Sequence, residues 1–384
     1  MKLNFDIDAG GGLGQFAPTR QAVRAFLQSE LEAGQFIPWQ TTWTTFDRGF
    51  TRRAAEAGFV AMTWPKKYGG HEKSNLERYV VVEEMLAAGA PCGAHWIADR
   101  QSGPQIIRFG SDRARNEILP RIARGECYFG IGMSEPDSGS DLAAVRTRAE
   151  KVAGGWRVNG TKIWTTNAHQ VHYLIALVRT RPLGAKRHDG LTQMIVAMDA
   201  PGVTVRPIYD LSGHHEFNEV HFEDYFVPDD MLIGAEGQGW EMVTSELAFE
   251  RSGPDRFLSS YRLLVSLINH AGPHPNREQA SQIGRLVAHL NTLRRMSMSV
   301  AGMLEAGMEP NVEAALIKDL GTGFEREVPE QVRRIVEVQP TKDEGGSELD
   351  QAMAQVVLTA PSFTIRGGTR EILRGVIARG LELR

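Results

Sequence analysis

Apolar residues recur with helical spacing in the first third of this chain, alternate in the middle third, and return to helical spacing in the last. Val23, Phe26, Leu27 and Leu31 fall at i, i+3, i+4 and i+8, one face of a helix. A second helix is expected over Thr45–Ala57. Leu76–Ala88 and Ala94–Phe109 read as buried helices, and Ser111–Ala123 as a surface helix with Ser111 as N-cap. Between them Trp64-Pro65-Lys66-Lys67-Tyr68-Gly69-Gly70 breaks the pattern with Pro and Gly. Residues 1–125 therefore read as an all-helical domain.

From Glu126 to about Gly234 the period becomes two. Strands are expected at Tyr128–Met133, Val145–Val152, Gly155–Val158, Lys162–Thr165, Tyr173–Val178, Thr192–Met198, Val203–Pro207 and Asn218–Phe222. Ala153-Gly154-Gly155 and Asn159-Gly160 carry the residues of hairpin turns. Residues 126–234 are thus a barrel-like or two-sheet β domain. Helical spacing resumes over 235–384, with candidates at Trp240–Arg251, Pro254–His270, Arg277–Leu304, Val312–Ile335, Asp350–Val357 and Arg370–Arg379, which would pack as a four-helix-type bundle. The fold class expected is α+β.

Composition narrows the function. The chain has 384 residues, 42% hydrophobic and 23% charged, the balance of a globular protein with a large core. A formal charge of −4 gives no case for nucleic acid or an anionic membrane surface. Cys92 and Cys127 lack metal spacing and fit buried thiols in a reducing compartment. The first residues lack an apolar signal core, and no apolar run is long enough to span a membrane, so a cytoplasmic location is expected. Gly10-Gly11-Gly12-Leu13-Gly14 fits a flexible lead better than a dinucleotide loop, because Gln15 breaks the required spacing.

The richest stretch is Tyr128–Asn167. It holds Met133-Ser134-Glu135-Pro136-Asp137-Ser138-Gly139-Ser140-Asp141, then Trp156-Arg157-Val158-Asn159-Gly160-Thr161-Lys162-Ile163-Trp164-Thr165-Thr166-Asn167. Glycines and small hydroxyls let backbone approach a flat polar ligand, and Trp164 offers a face for a ring. Taken singly, Trp164 reads equally as a core aromatic and Ser134 and Ser140 as turn residues. Together the two motifs resemble the flavin-binding signature of the acyl-CoA dehydrogenase family. The Trp64–Gly70 loop and the Asn218–Phe222 segment with its Val227-Pro228 exit resemble that family too.

The resemblance implies FAD and an acyl-CoA substrate. It places backbone contacts to the flavin at Ile131 and Met133, hydrogen bonds to its ring at Ser134 and Thr166, and Trp164 against the ring, with Thr165 also at the cofactor. Gly139 and Ser140 would lie near the pyrophosphate or the CoA chain. The reaction implied is α-proton removal by a carboxylate and β-hydride transfer to flavin N5, giving a trans-2-enoyl-CoA, with an electron-transfer flavoprotein as acceptor.

Two positions compete for the base. Val243, Leu247 and Glu250 share one helix face, where poor hydration would raise a carboxylate's pKa and suit it to proton removal. Spacing alone favours the plainer alternative, a solvated Glu250 paired with a nearby Arg. Leu247-Ala248-Phe249-Glu250-Arg251 nevertheless resembles the helix on which isovaleryl- and long-chain acyl-CoA dehydrogenases carry their base, with Arg251 at a position where Arg is common. Most members place the base before the last helix, in Tyr-Glu-Gly-Thr. Here Ile365-Arg366-Gly367-Gly368-Thr369 puts Gly367 at that position. The resemblance leaves Gly367 a backbone N–H for the thioester carbonyl, with Gly368 beside the substrate. Thr369, which the resemblance puts among the cofactor-binding residues, would cap a helix whose N-terminus favours anionic or carbonyl groups.

The last third departs from the family. Its Arg-x-x-Phe-Gly and Gln-x-x-Gly-Gly-x-Gly segments, which reach a neighbouring subunit's FAD, have no match at Asn276–Gly284 or Gln339–Gly346. A homo-oligomer (dimer or tetramer) and a hetero-oligomer with an unlike subunit both remain open. So do a non-catalytic or half-site subunit and an oxygen-using oxidase or monooxygenase on the same fold. No metal site is expected.

Overall fold

The computed structural model describes residues 3–5 and 14–383, without the side chains of 245–250. Most of the N-terminal glycine run lies outside the described residues. The chain forms two compact units. One comprises residues 1–43, 74–90 and 248–384, the other residues 44–73 and 91–247.

The first unit is helical. It holds α1 (Ala17–Glu32) and α3 (Asn75–Ala87), with α2 (Arg48–Glu56) belonging to the second unit. Val23 and Leu27 are buried on α1 as their spacing predicts, while Leu31 is exposed. Ser74 and Glu77 close a capping box on α3: Glu77 N donates to Ser74 Oγ and Ser74 N to Glu77 Oε2. Buried Glu83 and Glu84 on α3 take Arg20 and Arg24 from α1 and Arg294 from a later helix.

The second unit opens with α2, capped by Asp47, whose carboxylate accepts from Phe50 N. That cap is why the helix starts at Arg48 and not at Thr45. The helix expected over Ala94–Phe109 is three pieces: α4 (Gly93–Ile97), a π-helical turn at Ala98–Ser102, and α5 (Gly103–Phe109). Asp99 explains part of the break, since its buried carboxylate accepts from Ala61 N. Ser111 caps α6 (Asp112–Glu117), and Pro120 begins the separate α7 (Leu119–Ala123).

The strands are β1 (Phe129–Gly132), β2 (Arg148–Val152), β3 (Gly155–Lys162), β4 (Tyr173–Arg179), β5 (Leu191–Ala197), β6 (Val203–Tyr209), β7 (His215–Pro228) and β8 (Leu232–Ile233). They pair in the order β6-β7-β3-β2-β4-β5-β8, with β1 joined parallel to β4. Ala153-Gly154 is a hairpin turn, closing Val152 on Gly155. Asn159-Gly160 is not: β3 runs straight through it, so Gly155–Val158 and Lys162 belong to one strand. The Asn-Gly pair instead serves a β-bulge. Val158 opposes Tyr225 but Gly160 opposes Phe222, leaving one extra residue on β7. Asp224 takes the left-handed conformation there (φ 47°), and its N–H donates to Asn159 Oδ1 at 2.8 Å. Past the bulge the alternation of β7 slips by one: Asn218, Val220 and Phe222 are buried before it, Tyr225 and Val227 after it.

The helix α8 (Gly239–Arg251) follows, then α9 (Tyr261–Ala271), α10 (Arg277–Glu305), α11 (Asn311–Ile335), α12 (Glu348–Phe363) and α13 (Arg370–Gly380). The single helix expected over Pro254–His270 is a 3-10 turn at Pro254–Arg256 followed by α9, because Gly253 is extended and Pro254 starts a new element. In the first unit α10, α12 and α13 all pack against α11. Gln339–Gly346 is a loop between α11 and α12, tied down by Gln339 N donating to Asp350.

Candidate functional site

In the second unit the chemistry collects where β1 ends. β1 is an edge strand, paired only with β4 among the described residues. Beyond it the chain turns at Glu135–Ser138, where Glu135 N donates to Ser138 O and Ser138 N to Glu135 O. The Glu135 carboxylate is buried. It accepts from Arg146 N (2.6 Å), Thr147 N (2.8 Å) and Lys162 Nζ (2.8 Å). The fully buried Lys162 also donates to Met133 O at 3.2 Å. Two ends of a long loop are thereby pinned to β3.

This ion pair fixes its own charges. Burial alone would raise the Glu135 pKa, but the Lys162 ammonium and the N–H donors outweigh it and hold the carboxyl below its ordinary range. Burial pushes Lys162 down to about 8, against the pull of Glu135.

Next to this loop lies the turn after β3. Ile163 N donates to Ser134 O at 2.9 Å, which sets Ser134 beside the turn. Trp164 and Asn167 both take positive φ (59° and 55°), a strained backbone for tryptophan and one that asparagine tolerates. Trp164 is 57% exposed and its ring meets Phe217 edge-on. An indole this large, held open on a strained backbone, is a surface prepared for something flat. Thr165 beneath it is fully buried, and its Oγ1 has no hydrogen-bond partner among the described residues. That hydroxyl faces the interior of the unit, so the polar groups open to a ligand on the Trp164 ring are those of its less buried neighbours. Thr166 is half-buried in the same turn, and Ile131 and Met133 are half-buried at the end of β1. Gly139 and Ser140 are exposed, and Gly139 has open space around it.

Asn218 is the residue that sequence reasoning left without a site role. It is fully buried on β7. Its Nδ2 donates to Thr165 O and its backbone O accepts from Thr165 N, both at 3.0 Å. Its Oδ1 is therefore the acceptor for the stacked rings of His169 (Nδ1, 3.2 Å) and His215 (Nε2, 2.7 Å). Burial and the neighbouring His215 lower the His169 pKa, so this ring stays neutral near pH 7. The only advance signal was Asn-Glu-Val-His-Phe itself, with nothing to show which way Asn218 faced.

The other predicted residues lie in the first unit. Glu250 falls on the last turn of α8, and its side chain is outside the described residues. Arg251, which ends α8, is buried, with Nη2 3.2 Å from where a Cβ on Gly368 would stand. Gly367 and Gly368 have φ of 66° and 98°, a turn that glycines make without strain. Lys318 Nζ donates to Gly368 O at 2.6 Å, and Arg366 Nη2 to Ser259 Oγ at 2.8 Å. Thr369 caps α13 as expected, accepting from Ile372 N. Nearby in the same unit a pocket of about 350 Å³, its mouth included, is lined by Trp39, Trp43, Leu86, Asp255, Leu258 and Ser259. Arg366 lies over the Trp43 ring.

Comparison with known proteins shows the family. The N-terminal, middle and C-terminal domains of acyl-CoA dehydrogenases match residues 17–126, 130–225 and 237–382. The acyl-CoA dehydrogenase IpdE1 of Mycobacterium tuberculosis is 33% identical over 334 residues, 86% of this chain and 86% of its own length. The chain belongs to the acyl-CoA dehydrogenase family. Acyl-CoA dehydrogenases are oxidoreductases, and members of the family use FAD. Solved acyl-CoA dehydrogenases share the architecture. The steroid ACAD Tcur3481-Tcur3483 superposes with a TM-score of 0.87 at 25% identity, covering 97% of this chain and 98% of that one. The ChsE4-ChsE5 complex from Mycobacterium tuberculosis does so with a TM-score of 0.82 at 25% identity, covering 96% and 98%. No described helix is long and apolar enough to cross a membrane.

Proposed function

We propose that this chain binds FAD and dehydrogenates an acyl-CoA thioester across Cα–Cβ, with Glu250 as the base. The observation that carries the reading is the exposed Trp164 ring with the half-buried Thr166 two residues on, on a turn held by backbone hydrogen bonds to Ser134, Glu216 and Asn218. Those residues fit an isoalloxazine: Trp164 supplies a face, and Thr166 and Ser134 supply hydroxyls. Ile131 and Met133 would lend backbone atoms at the β1 edge, and Gly139 and Ser140 would meet the pyrophosphate or the CoA chain. Bound FAD supplies the hydride acceptor.

The remaining work belongs to the chain. Glu250 takes the α-proton, since Gly367 occupies the position from which most members offer their acid. The Gly367 N–H donates to the thioester carbonyl and favours the negative charge that gathers on its oxygen. Arg251 and Gly368 line the substrate side, and Thr369 holds the start of α13. An electron-transfer flavoprotein would take the electrons onward. Anaerobic addition of linear, branched and cyclic acyl-CoAs to the purified protein tests the reading. Bleaching of the flavin by at least one is expected, and a flavin that stays oxidised with all of them sinks it.

A second reading has its own support. The family segments that reach a neighbour's FAD are absent at Asn276–Gly284 and Gln339–Gly346, and one similar structure is the ChsE4-ChsE5 complex. On that reading the chain is one half of a hetero-oligomer. It would be colourless alone and yellow only when co-expressed with its partner, and native mass would report unlike subunits.

The orphan hydroxyl gives a prediction about stability. Thr165→Val keeps the shape and removes the unsatisfied group. Apoprotein stability is expected to rise by about 1 kcal/mol. Thermal unfolding reads the effect, and a stability that falls would show that the hydroxyl contributes to folding.

A further inference from the structure

The Arg366–Thr369 turn is the part of the first unit that would meet the thioester carbonyl, so any role for its neighbours in the chemistry rests on the proposed dehydrogenation. A pair of glycines has more conformational freedom than any other dipeptide, so the backbone of the turn does not itself fix where the Gly367 N–H points. The restraint comes from outside. Lys318 is fully buried on α11, and its ammonium donates to Gly368 O at 2.6 Å. The next residue on α11, Asp319, holds the start of α13, accepting from Arg370 Nε at 2.6 Å and Arg374 Nε at 3.4 Å. On another side Arg251, also buried, sets its Nη2 3.2 Å from the Cβ position of Gly368. Arg366 is anchored in turn on Ser259.

A neutral donor would suffice to hold a carbonyl in place. A buried ammonium is a costly way to do so, because the charge gives up its hydration. Its distinctive product is a field. Two buried cations, Lys318 and Arg251, converge on a turn whose task is to meet a carbonyl oxygen that becomes negative.

We propose that Lys318 is a positioning residue for α-proton removal. It clamps the Gly367-Gly368 turn so that the Gly367 N–H faces the thioester carbonyl, and its charge, with that of Arg251, favours the enolate-like oxygen. In this half-step the proton passes from Cα to the Glu250 carboxylate. The C–H electron pair moves into the Cα–C bond, and negative charge arrives on the thioester oxygen. No oxidant is consumed.

Exchange of the α-proton isolates that half-step. Protein whose flavin has been reduced beforehand can take the α-proton but not the hydride. Mass spectrometry would follow deuterium uptake from D2O into the acyl-CoA that bleaches native protein fastest. Lys318→Met is expected to slow exchange roughly 10- to 100-fold, the scale for a group that orients another, with little change in acyl-CoA affinity. Lys318→Gln keeps a donor without the charge. It should fall between native and Lys318→Met, and it carries the test if the Met variant folds poorly.

Folded variants that exchange within about twofold of native overturn the proposal, as does a loss confined to affinity. If Glu250→Gln abolishes exchange while the Lys318 variants leave it intact, the reading of the reaction stands and only the role of Lys318 falls. If no acyl-CoA bleaches or exchanges with native protein, both fall.

Discussion

Glu250→Gln is expected to leave FAD bound and to slow flavin reduction by acyl-CoA roughly 10²- to 10⁴-fold, the range for loss of a general base. Gln matches Glu in size and hydrogen-bonding reach but cannot accept a proton at neutral pH. Rapid-mixing absorbance under anaerobic conditions reads the rate, and the retained yellow colour shows that the site is intact. An unchanged rate would remove Glu250 from the mechanism. A colourless variant would give it a structural part instead. Restoring an acid at the more common position is no simple exchange. Gly367 has a φ of 66°, so Gly367→Glu would strain the backbone by about 1–2 kcal/mol. The added carboxylate would also enter a turn already held by Lys318. Glu250→Gln/Gly367→Glu is therefore expected to recover only a small part of the native rate.

Breaking the buried Glu135–Lys162 pair is the largest stability change we expect. Glu135→Gln or Lys162→Met alone should cost about 3–5 kcal/mol, because each leaves an uncompensated buried group. Glu135 is the more exposed to loss, since its carboxylate also takes the N–H groups of Arg146 and Thr147. The double variant Glu135→Gln/Lys162→Met should be more stable than either single one, and denaturant unfolding of all four proteins closes the cycle.

Titration gives an independent check of this pair. Glu135 ionises at lower pH when folded than when unfolded. Its stabilisation is present above the ordinary carboxylate range and is lost as pH falls through the folded pKa. Lys162 loses its proton more readily when folded, near pH 8 against an ordinary 10.5, so between those values its contribution to stability rises with pH. Both slopes should be absent from the double variant. Equal stability of single and double variants would show that the two groups do not act as a pair.

Much of this was legible because it is local. The loop from Met133 to Asp141 and the turn from Ile163 to Asn167 each lie within one short stretch, and composition alone reports small, polar, turn-forming backbone. Caps are local too: Ser111 and Thr369 sit where their helices begin. What could not be read is what arrives from far along the chain. Lys318 meets Gly368 from fifty residues away, and nothing in the alternation of α11 marks that lysine as interior. Nothing local marks Lys162 as interior either, because lysine is rarely buried without a partner, and Glu135 lies across a loop. Asn159-Gly160 misled for a related reason. Its local meaning is a hairpin, and only Asp224, sixty-five residues on, reveals that the asparagine serves another strand.

That bulge makes β7 a strand with two phases. Inward positions are the even-numbered ones before Glu223 and the odd-numbered ones after it. The segment therefore behaves as an expansion joint. Losing its one extra residue would restore plain alternation with Tyr225 and Val227 still inside, because both halves of β7 already pair with β3 in the register that a plain strand would have. Across related chains the bulge can thus be present or absent without changing which side chains before the Val-Pro exit face the core.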